Sequence, residues 1–258
     1  GTLSYSGTSQ GATNIGSYAI TPGGLTSSNY AIAFVSGTLT VNPADLTVTA
    51  DAQSKSYGAA DPSLTYQITS GSLAGGDSLS GALTRTAGET FGSYPITQGT
   101  LTAGPNYNLA YIGANLSINP ANLTVTANDD TKVYNGLGYS GGNGVTYAGF
   151  VNGETNDVLG GTLSYSGTSQ GATNIGSYPI TPGGLTSSNY AIAFVSGTLT
   201  VNPADLTVTA DAQSKSYGAA DPALTYQITS GSLAGGDSLS GALTRTAGET
   251  FGSYPITQ

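Results

Sequence analysis

The stretch NPADLTVTA at residues 42–50 decides the fold of this chain, because it recurs as NPANLTVTA at 119–127 and again as NPADLTVTA at 202–210. Within the first copy, Leu46 and Val48 alternate with Thr47 and Thr49. An apolar residue at every second position is typical of a β-strand that buries one face and turns the other to water. The sequence therefore predicts a tandem array of β-rich modules that each begin with this strand.

A second, longer repeat contains the first. Residues 1–98 match residues 161–258 at 96 of 98 positions, and the two differences are Ala19 against Pro179 and Ser63 against Ala223. The long repeat returns only at Gly161, so two NPA stretches, at Asn42 and Asn119, fall within one copy of it. Two related kinds of module must therefore alternate, and we name them type A and type B.

These spacings predict four segments. Residues 1–43 are the C-terminal part of a type A module and residues 44–120 are a complete type B module. Residues 121–203 are a complete type A module and residues 204–258 are the N-terminal part of a type B module. Because the first and last segments are partial modules, we expect the chain to be a window on a longer array.

The predicted fold class is all-β, an elongated tandem array of small sandwich-like or β-grasp-like modules. The segment YAIAFV at 30–35 alternates like a strand, and the Ser36-Gly37 turn that follows predicts a hairpin with Leu39–Val41. Residues 152–159 predict at most one short helical turn per module. The pattern leaves an immunoglobulin-like sandwich and a β-grasp-like module open.

The GSYPIT segments carry a proline in the strand pattern, at Pro95, Pro179 and Pro255. Proline has no N–H to donate to a β-ladder, and strands tolerate it at sheet edges and bulges. We therefore predict that GSYPIT forms an edge strand whose proline discourages pairing with other chains.

Composition excludes several classes of function. The chain has no Cys and no His, so disulfides, thiolate metal sites and histidine-based nucleophile systems are ruled out. We therefore expect no enzyme, no cofactor and no metal centre. A net charge of -9 with five cations argues against nucleic-acid binding, and no apolar run is long enough to span a bilayer. Because 38% of residues are apolar and follow a strand period, a flexible linker is disfavoured.

Short motifs resemble two families of bacterial repeat modules. KVYNG at 132–136 resembles the YDG type, although Asn135 stands where that name has Asp. KSYG at 55–58, GSY at 92–94, Asn106-Tyr107 and NLSI at 115–118 resemble the MBG domain of the YGX type. This resemblance implies large secreted adhesins, including filamentous-haemagglutinin-like exoproteins, and an extracellular or bacterial cell-surface location. It implies a spacer or stalk giving rigid reach, or alternatively an adhesive module that binds glycans or host surfaces.

The expected partners follow from this interpretation. They are the neighbouring modules of the same chain, further copies in a filament or biofilm matrix, and glycans. A filament of separate subunits would need one chain to complete the module of the next by strand addition. A single continuous chain is the simpler arrangement, and nothing in the sequence decides between the two.

The three lysines of the chain occupy one equivalent position per module, at Lys55, Lys132 and Lys215. They are candidates for an intramolecular isopeptide bond to an Asn or Asp, catalysed by a buried carboxylate. The alternative is a lysine on a strand edge that is solvated or loosely paired.

Two further binding chemistries have some basis in the composition. Scattered carboxylates such as Asp51, Asp61 and Asp77 suggest calcium, but turn chemistry and solubility explain them as well. The 17 tyrosines would suit stacking on sugars, but packing within the modules is the interpretation preferred for Tyr30, Tyr57, Tyr107 and Tyr134.

Overall fold

The computed structural model describes every residue from Gly1 to Gln258 and is all-β with several small sheets, as predicted. Its one helical element is a single 3-10 turn at Asn156–Val158, inside the segment where a short turn was predicted. None of its elements is a helix with the length and apolar character needed to cross a membrane. The chain forms two compact units, Gly1–Ala121 and Asn122–Gln258, which are described separately.

The complete type B module of the first unit consists of two small mixed sheets. Its strands are β4 (Ala44–Ala50), β5 (Gln53–Ser56), β6 (Tyr66–Ser70), β7 (Thr84–Arg85), β8 (Gly92–Thr97), β9 (Tyr107–Ile112) and β10 (Ala114–Asn119). One sheet has the order β6-β4-β9 and the other has the order β5-β10-β8-β7. The opening strands β4 and β5 thus belong to different sheets, and so do the closing strands β9 and β10.

The opening and closing strands run in parallel through both sheets. In the first sheet Ala44 lies beside Tyr107, and in the second Gln53 lies beside Leu116, so the offset along the chain is the same in each. One register therefore holds residues 44–56 against 107–119. Gly113 matches Ser36, where a hairpin was predicted. That prediction is wrong, because the chain does not fold back at Gly113 but crosses to the other sheet and continues in the same direction.

The hydrophobic core lies between the two sheets. Val48 and Ala50 of β4 contribute from the first sheet, and Ile96 of β8 and Leu116 of β10 contribute from the second. The inward residues of the opening strand are those that the alternation of Leu46 and Val48 predicted. The type B module is therefore a two-layer sandwich.

The first unit also contains the segment 1–43. Its strands are β1 (Ser4–Ser6), β2 (Gly16–Gly23) and β3 (Gly37–Val41), and they form one antiparallel sheet. The predicted strand at residues 30–35 is absent in this copy, where Tyr30 and Val35 are exposed.

The second unit begins with the complete type A module, which repeats the two-sheet plan. Its strands are β11 (Ala121–Ala127), β12 (Asp130–Val133), β13 (Val145–Ala148), β14 (Gly160–Ser166), β15 (Gly176–Thr186), β16 (Tyr190–Val195) and β17 (Gly197–Asn202). The sheet orders are β13-β11-β16 and β12-β17-β15-β14. Ala127, Ile180, Leu199 and Val201 form the centre of its core.

The segment 204–258 completes the second unit. Its strands are β18 (Thr207–Ala210), β19 (Tyr226–Ser230), β20 (Thr244–Arg245) and β21 (Ile256–Thr257), and they form two two-stranded sheets. Residues 213–216 are not a strand, although the matching residues Gln53–Ser56 form β5 in the complete module.

Identical sequence thus adopts different structure in the complete and partial modules. YAIAFV forms β16 beside β11 in the complete type A module, but it has no opening strand to pair with in the segment 1–43. Val48 is fully buried, whereas Val208 in the matching position is 41% exposed. Formation of these strands therefore depends on a partner strand far away in the sequence and not on local propensity.

The edge-strand prediction for GSYPIT is wrong. β8 lies between β10 and β7, and β15 lies between β17 and β14. The copy with alanine explains why proline is tolerated: the Ala19 N–H donates to the hydroxyl of Thr8 at 2.9 Å and not to the neighbouring strand β3. Pro179 occupies the matching position, so it removes no ladder hydrogen bond.

Candidate functional site

Four charged side chains meet in the complete type B module, and we name them the ionic cluster: Lys55, Asp61, Arg85 and Glu89. Lys55 Nζ lies 2.7 Å from Asp61 Oδ1 and 2.5 Å from Glu89 Oε2. Arg85 Nε lies 2.6 Å from Asp61 Oδ2, and Arg85 Nη2 contacts Glu89 Oε1. Each cation therefore bridges both carboxylates.

The two sheet edges and the loops that follow them build this cluster. Lys55 projects from β5 and Arg85 from β7, the outer strands of the four-stranded sheet, while Asp61 and Glu89 lie in the loops that come after these strands. The cation side chains are largely buried, and the carboxylates above them are partly exposed. The cluster consequently fastens two loops onto the sheet.

Further contacts fix the Arg85 guanidinium. Nη1 donates to the carbonyl oxygens of Thr86 at 3.0 Å and Gly88 at 2.7 Å, and the group lies 5.7 Å from the centre of the Tyr94 ring. A guanidinium presents a planar set of donors, so it can hold a carboxylate and a loop backbone at once.

Mutual pairing keeps all four groups charged. Hydrogen bonds from Arg85 and then Lys55 lower the pKa of Asp61 to about 2. Hydrogen bonds from Lys55 and Arg85 also lower the pKa of Glu89, and those to Asp61 and Glu89 raise the pKa of Lys55. Because pairing stabilises the charged form of each group, none of them is expected to exchange protons near neutral pH. The arrangement therefore suits salt bridges that hold the loops in place better than acid–base catalysis.

The same cluster recurs in the segment 204–258. Lys215 Nζ lies 2.6 Å from Asp221 Oδ1 and 2.7 Å from Glu249 Oε2, and Arg245 Nε lies 2.8 Å from Asp221 Oδ2. It forms although residues 213–216 are not a strand there. The cluster therefore does not require residues 213–216 to form a strand.

Lys132 has a different environment in the complete type A module, where its ammonium group donates to the carbonyl oxygen of Leu137. Neutral contacts hold the corresponding loops, since Gln170 bonds both the N–H and the carbonyl oxygen of Gly141. The three aligned lysines thus divide into two that join ionic clusters and one that does not.

The alignment of modules identified the lysines but missed the arginines. Arg85 and Arg245 are the two arginines of the chain. Each pairs with the glutamate four residues later, Glu89 and Glu249 respectively. Because the chain has so few charged residues, the recurrence of this Arg–Glu spacing was the sequence signal that could have identified the arginines as members of the clusters.

The carboxylates considered for calcium binding and the tyrosines considered for stacking on sugars mostly contact other residues of the protein. Asp51 accepts a hydrogen bond from Gln67 at 3.0 Å and Asp77 accepts one from the Tyr107 hydroxyl at 2.6 Å. Tyr57 and Tyr107 are buried and Tyr134 packs against the type A core, in line with the packing interpretation. Tyr30 is exposed, because its predicted strand is absent.

The isopeptide hypothesis leads to a mass measurement. An amide between Lys55 and Asp61 requires a neutral amine and a protonated carboxyl, and the cluster stabilises the opposite forms. We expect the intact mass of the chain to equal the mass calculated from its sequence, with no loss. Loss of one water for each lysine–aspartate bond, or of one ammonia for each lysine–asparagine bond, would contradict the ionic assignment.

Comparison with protein families gives one result. The family model described as MBG domain (YGX type) matches residues 1–40, 46–117, 123–200 and 206–258. The matches include the type A segments, whose KVYNG motif resembles the YDG type. A search of curated proteins finds no match.

Proposed function

We propose, on the premise that this chain belongs to the family of MBG domains of the YGX type, that it is a structural spacer of a secreted bacterial surface adhesin or extracellular filament. Its task is to deliver reach, and it has no catalytic role. Its partners are the adjoining modules and further copies in a filament or matrix.

The parallel register of residues 44–56 and 107–119 is the observation that carries this proposal. The chain enters the type B module at Ala44, beside Tyr107, and leaves it at Asn119, beside Ser56. Entry and exit therefore lie at opposite ends of the same paired strands. Since a strand rises about 3.3 Å per residue, a crossing of this length separates them by roughly 40 Å.

The joint between modules supports the same role. β3 ends at Val41 and β4 begins at Ala44, so only Asn42 and Pro43 separate two strands. Proline fixes one of the backbone torsions there, and the Ala44 N–H is bonded to the carbonyl oxygen of Asn106 at 2.9 Å. Such a joint differs from a Gly/Ser linker, which behaves as a flexible coil.

Near-identity of the repeats is a further support. Agreement at 96 of 98 positions indicates that the number of modules matters more than any single side chain. Alternation of type A with type B keeps adjacent modules different in sequence, which lowers the risk that neighbours exchange strands while they fold.

The proposal makes a prediction about length. Proteins with one, two and three copies of the long repeat, each copy corresponding to residues 1–160, should increase in maximum dimension by roughly 80 Å per copy, because each copy adds two module crossings. Small-angle X-ray scattering measures this increment directly. A dimension that grows with about the square root of the number of residues would indicate a flexible chain and contradict the proposal.

The adhesive alternative has its own readout. If the chain binds glycans, a glycan array probed with the full chain should give saturable binding that free sugar displaces. Such binding, together with a length increment well below the expected one, would favour the adhesive role over the spacer.

A further inference from the structure

We infer that each type A module carries a docking surface for the type B module that follows it. The surface, which we name the junction surface, consists of Tyr134, Gly136 and the loop Asn174–Ile175, whose copy in the first unit is Asn14–Ile15. This inference rests on the proposed spacer role, because a rigid rod requires joints between modules that resist bending. The two compact units display complementary parts of it.

The first unit shows the contact made by the loop. The Ile15 N–H donates to Asn106 Oδ1 at 3.1 Å, and Asn106 Nδ2 donates to Asn14 Oδ1 at 3.1 Å. Asn106 belongs to the type B module and immediately precedes β9, and its carbonyl oxygen accepts from the Ala44 N–H. One asparagine therefore joins the end of one module to the entry strand of the next.

The second unit shows the contact made by the tyrosine. The Tyr134 hydroxyl donates to Asp237 Oδ2 at 2.8 Å, which links a type A residue to the following type B segment. The Tyr134 N–H is bonded to the carbonyl oxygen of Asn202 at 2.8 Å, so the ring is anchored beside the strand through which the chain leaves the type A module. The hydrogen bond therefore lies next to the point where the chain passes from the type A module to the following segment.

Close backbone approach accompanies this hydrogen bond. A Cβ atom added at Gly136 would lie 2.8 Å from the Cβ of Ala234, and Gly136 has a φ of 71°. Tyr134, Ile175 and Leu206 line one cleft together with Ala234. The loops of the two modules are thus matched in shape as well as in polarity.

The acceptor carboxylate also belongs to the interior organisation of the type B module. Asp77 occupies the position of Asp237, and it accepts from the Tyr107 hydroxyl at 2.6 Å. A carboxylate has several acceptor positions, so one aspartate can receive a tyrosine from its own module and another from the preceding one. This sharing would couple the orientation of the joint to the closing strand β9.

Spin-label distances in the full chain test the tyrosine contact. The chain has no cysteine, so Thr146→Cys in the type A module and Ser230→Cys in the following segment can be labelled without background. We expect Tyr134→Phe and Asp237→Ala each to broaden the distance distribution between the labels. Asp237→Asn should broaden it less, because an amide oxygen still accepts from the hydroxyl.

A matched hydroxyl deletion serves as the control. Tyr254→Phe removes a hydroxyl that donates to the Thr250 carbonyl oxygen within one segment, and it should leave the distribution unchanged. Equal widths in the parent, Tyr134→Phe and Asp237→Ala proteins would overturn the tyrosine contact. This result is separate from the scattering increment, which would still report on the spacer role.

Amide hydrogen exchange measured by NMR tests the asparagine contact. Asn106→Ala removes the acceptor of the Ile15 N–H, and exchange at Ile15 should accelerate by about tenfold. Asn108→Ala is the control, because that side chain donates to Asp45 and does not reach the loop. Unchanged exchange at Ile15 in Asn106→Ala would refute this part of the junction surface.

Discussion

Replacement of Leu199 by alanine will destabilise the complete type A module by about 2–5 kcal/mol, as expected for a buried leucine in a core that cannot collapse fully. Leu199 is fully buried in β17, which lies between β12 and β15. The same replacement at Leu39 will cost about 1 kcal/mol or less, because the lost transfer energy scales with buried area. Leu39 is 37% exposed in identical local sequence.

Urea denaturation of the full chain, followed by far-UV circular dichroism, measures both effects. A chain with several modules does not unfold as one two-state system, so the quantity to compare is the shift in the midpoint of the transition that each replacement affects. Leu39→Ala is the matched control, since residues 1–43 differ from 161–203 only at Ala19. Equal shifts for the two variants would show that local sequence, and not strand pairing, determines the stability of this position.

The opening strands were predictable because their signal is local. Leu46 and Val48 alternate with threonines, and the structure buries these two apolar residues while it leaves Thr47 and Thr49 partly exposed. The alternation needs no knowledge of a partner, because the pleat of a strand alone places successive side chains on opposite faces.

The pairing of strands was not predictable from the same signal. The closing strands β9 and β10 alternate like the arms of a hairpin, and a small residue at Gly113 separates them as a turn would. The structure instead pairs β4 with β9 and β5 with β10, from opposite ends of the module sequence. Such long-range parallel pairing leaves no mark in short windows of sequence, so the hairpin predicted at the matching position, Ser36-Gly37, was the wrong inference.

The partial modules show that a partner strand determines whether a segment forms a β-strand. YAIAFV has one sequence and two structures, a strand at 190–195 and no strand at 30–35. An isolated strand gains little from its own residues, and its hydrogen bonds and packing come from neighbours. For the same reason, alignment found Lys55 and Lys215 but could not show that Asp61 and Glu89 fold over Lys55.

The second large effect is a loss of stability of the type B module at acidic pH. Pairing with Arg85 and Lys55 lowers the pKa of Asp61 to about 2, against about 3.9 in an unfolded chain. A lowered folded-state pKa stabilises the module above the unfolded value, and this contribution is lost as the pH falls through the folded value. We therefore expect the stability of the type B module to decline between pH 4 and about 2.

Asp61→Asn should reduce this dependence, since only the lowered pKa of Glu89 would remain in the cluster, and it should also cost stability at pH 7. Lys55 and Arg85 would keep only Glu89 as an ionic partner, and a largely buried cation that loses a partner is penalised. Because the Asp61 side chain is 42% exposed, solvent screens the pair, and we expect a loss of about 1–2 kcal/mol and not the full value of a buried ion pair.

Urea denaturation at pH 7 and at pH 3, with Asp51→Asn as the control, separates the cluster from general charge effects. Asp51 lies in the same module and accepts from Gln67, so its replacement removes an equal charge without touching the cations. The parent and Asp51→Asn proteins should both lose stability on acidification, whereas Asp61→Asn should lose less. If all three lose the same amount, the cations do not hold Asp61 in its charged form, and the ionic cluster does not fasten the two loops.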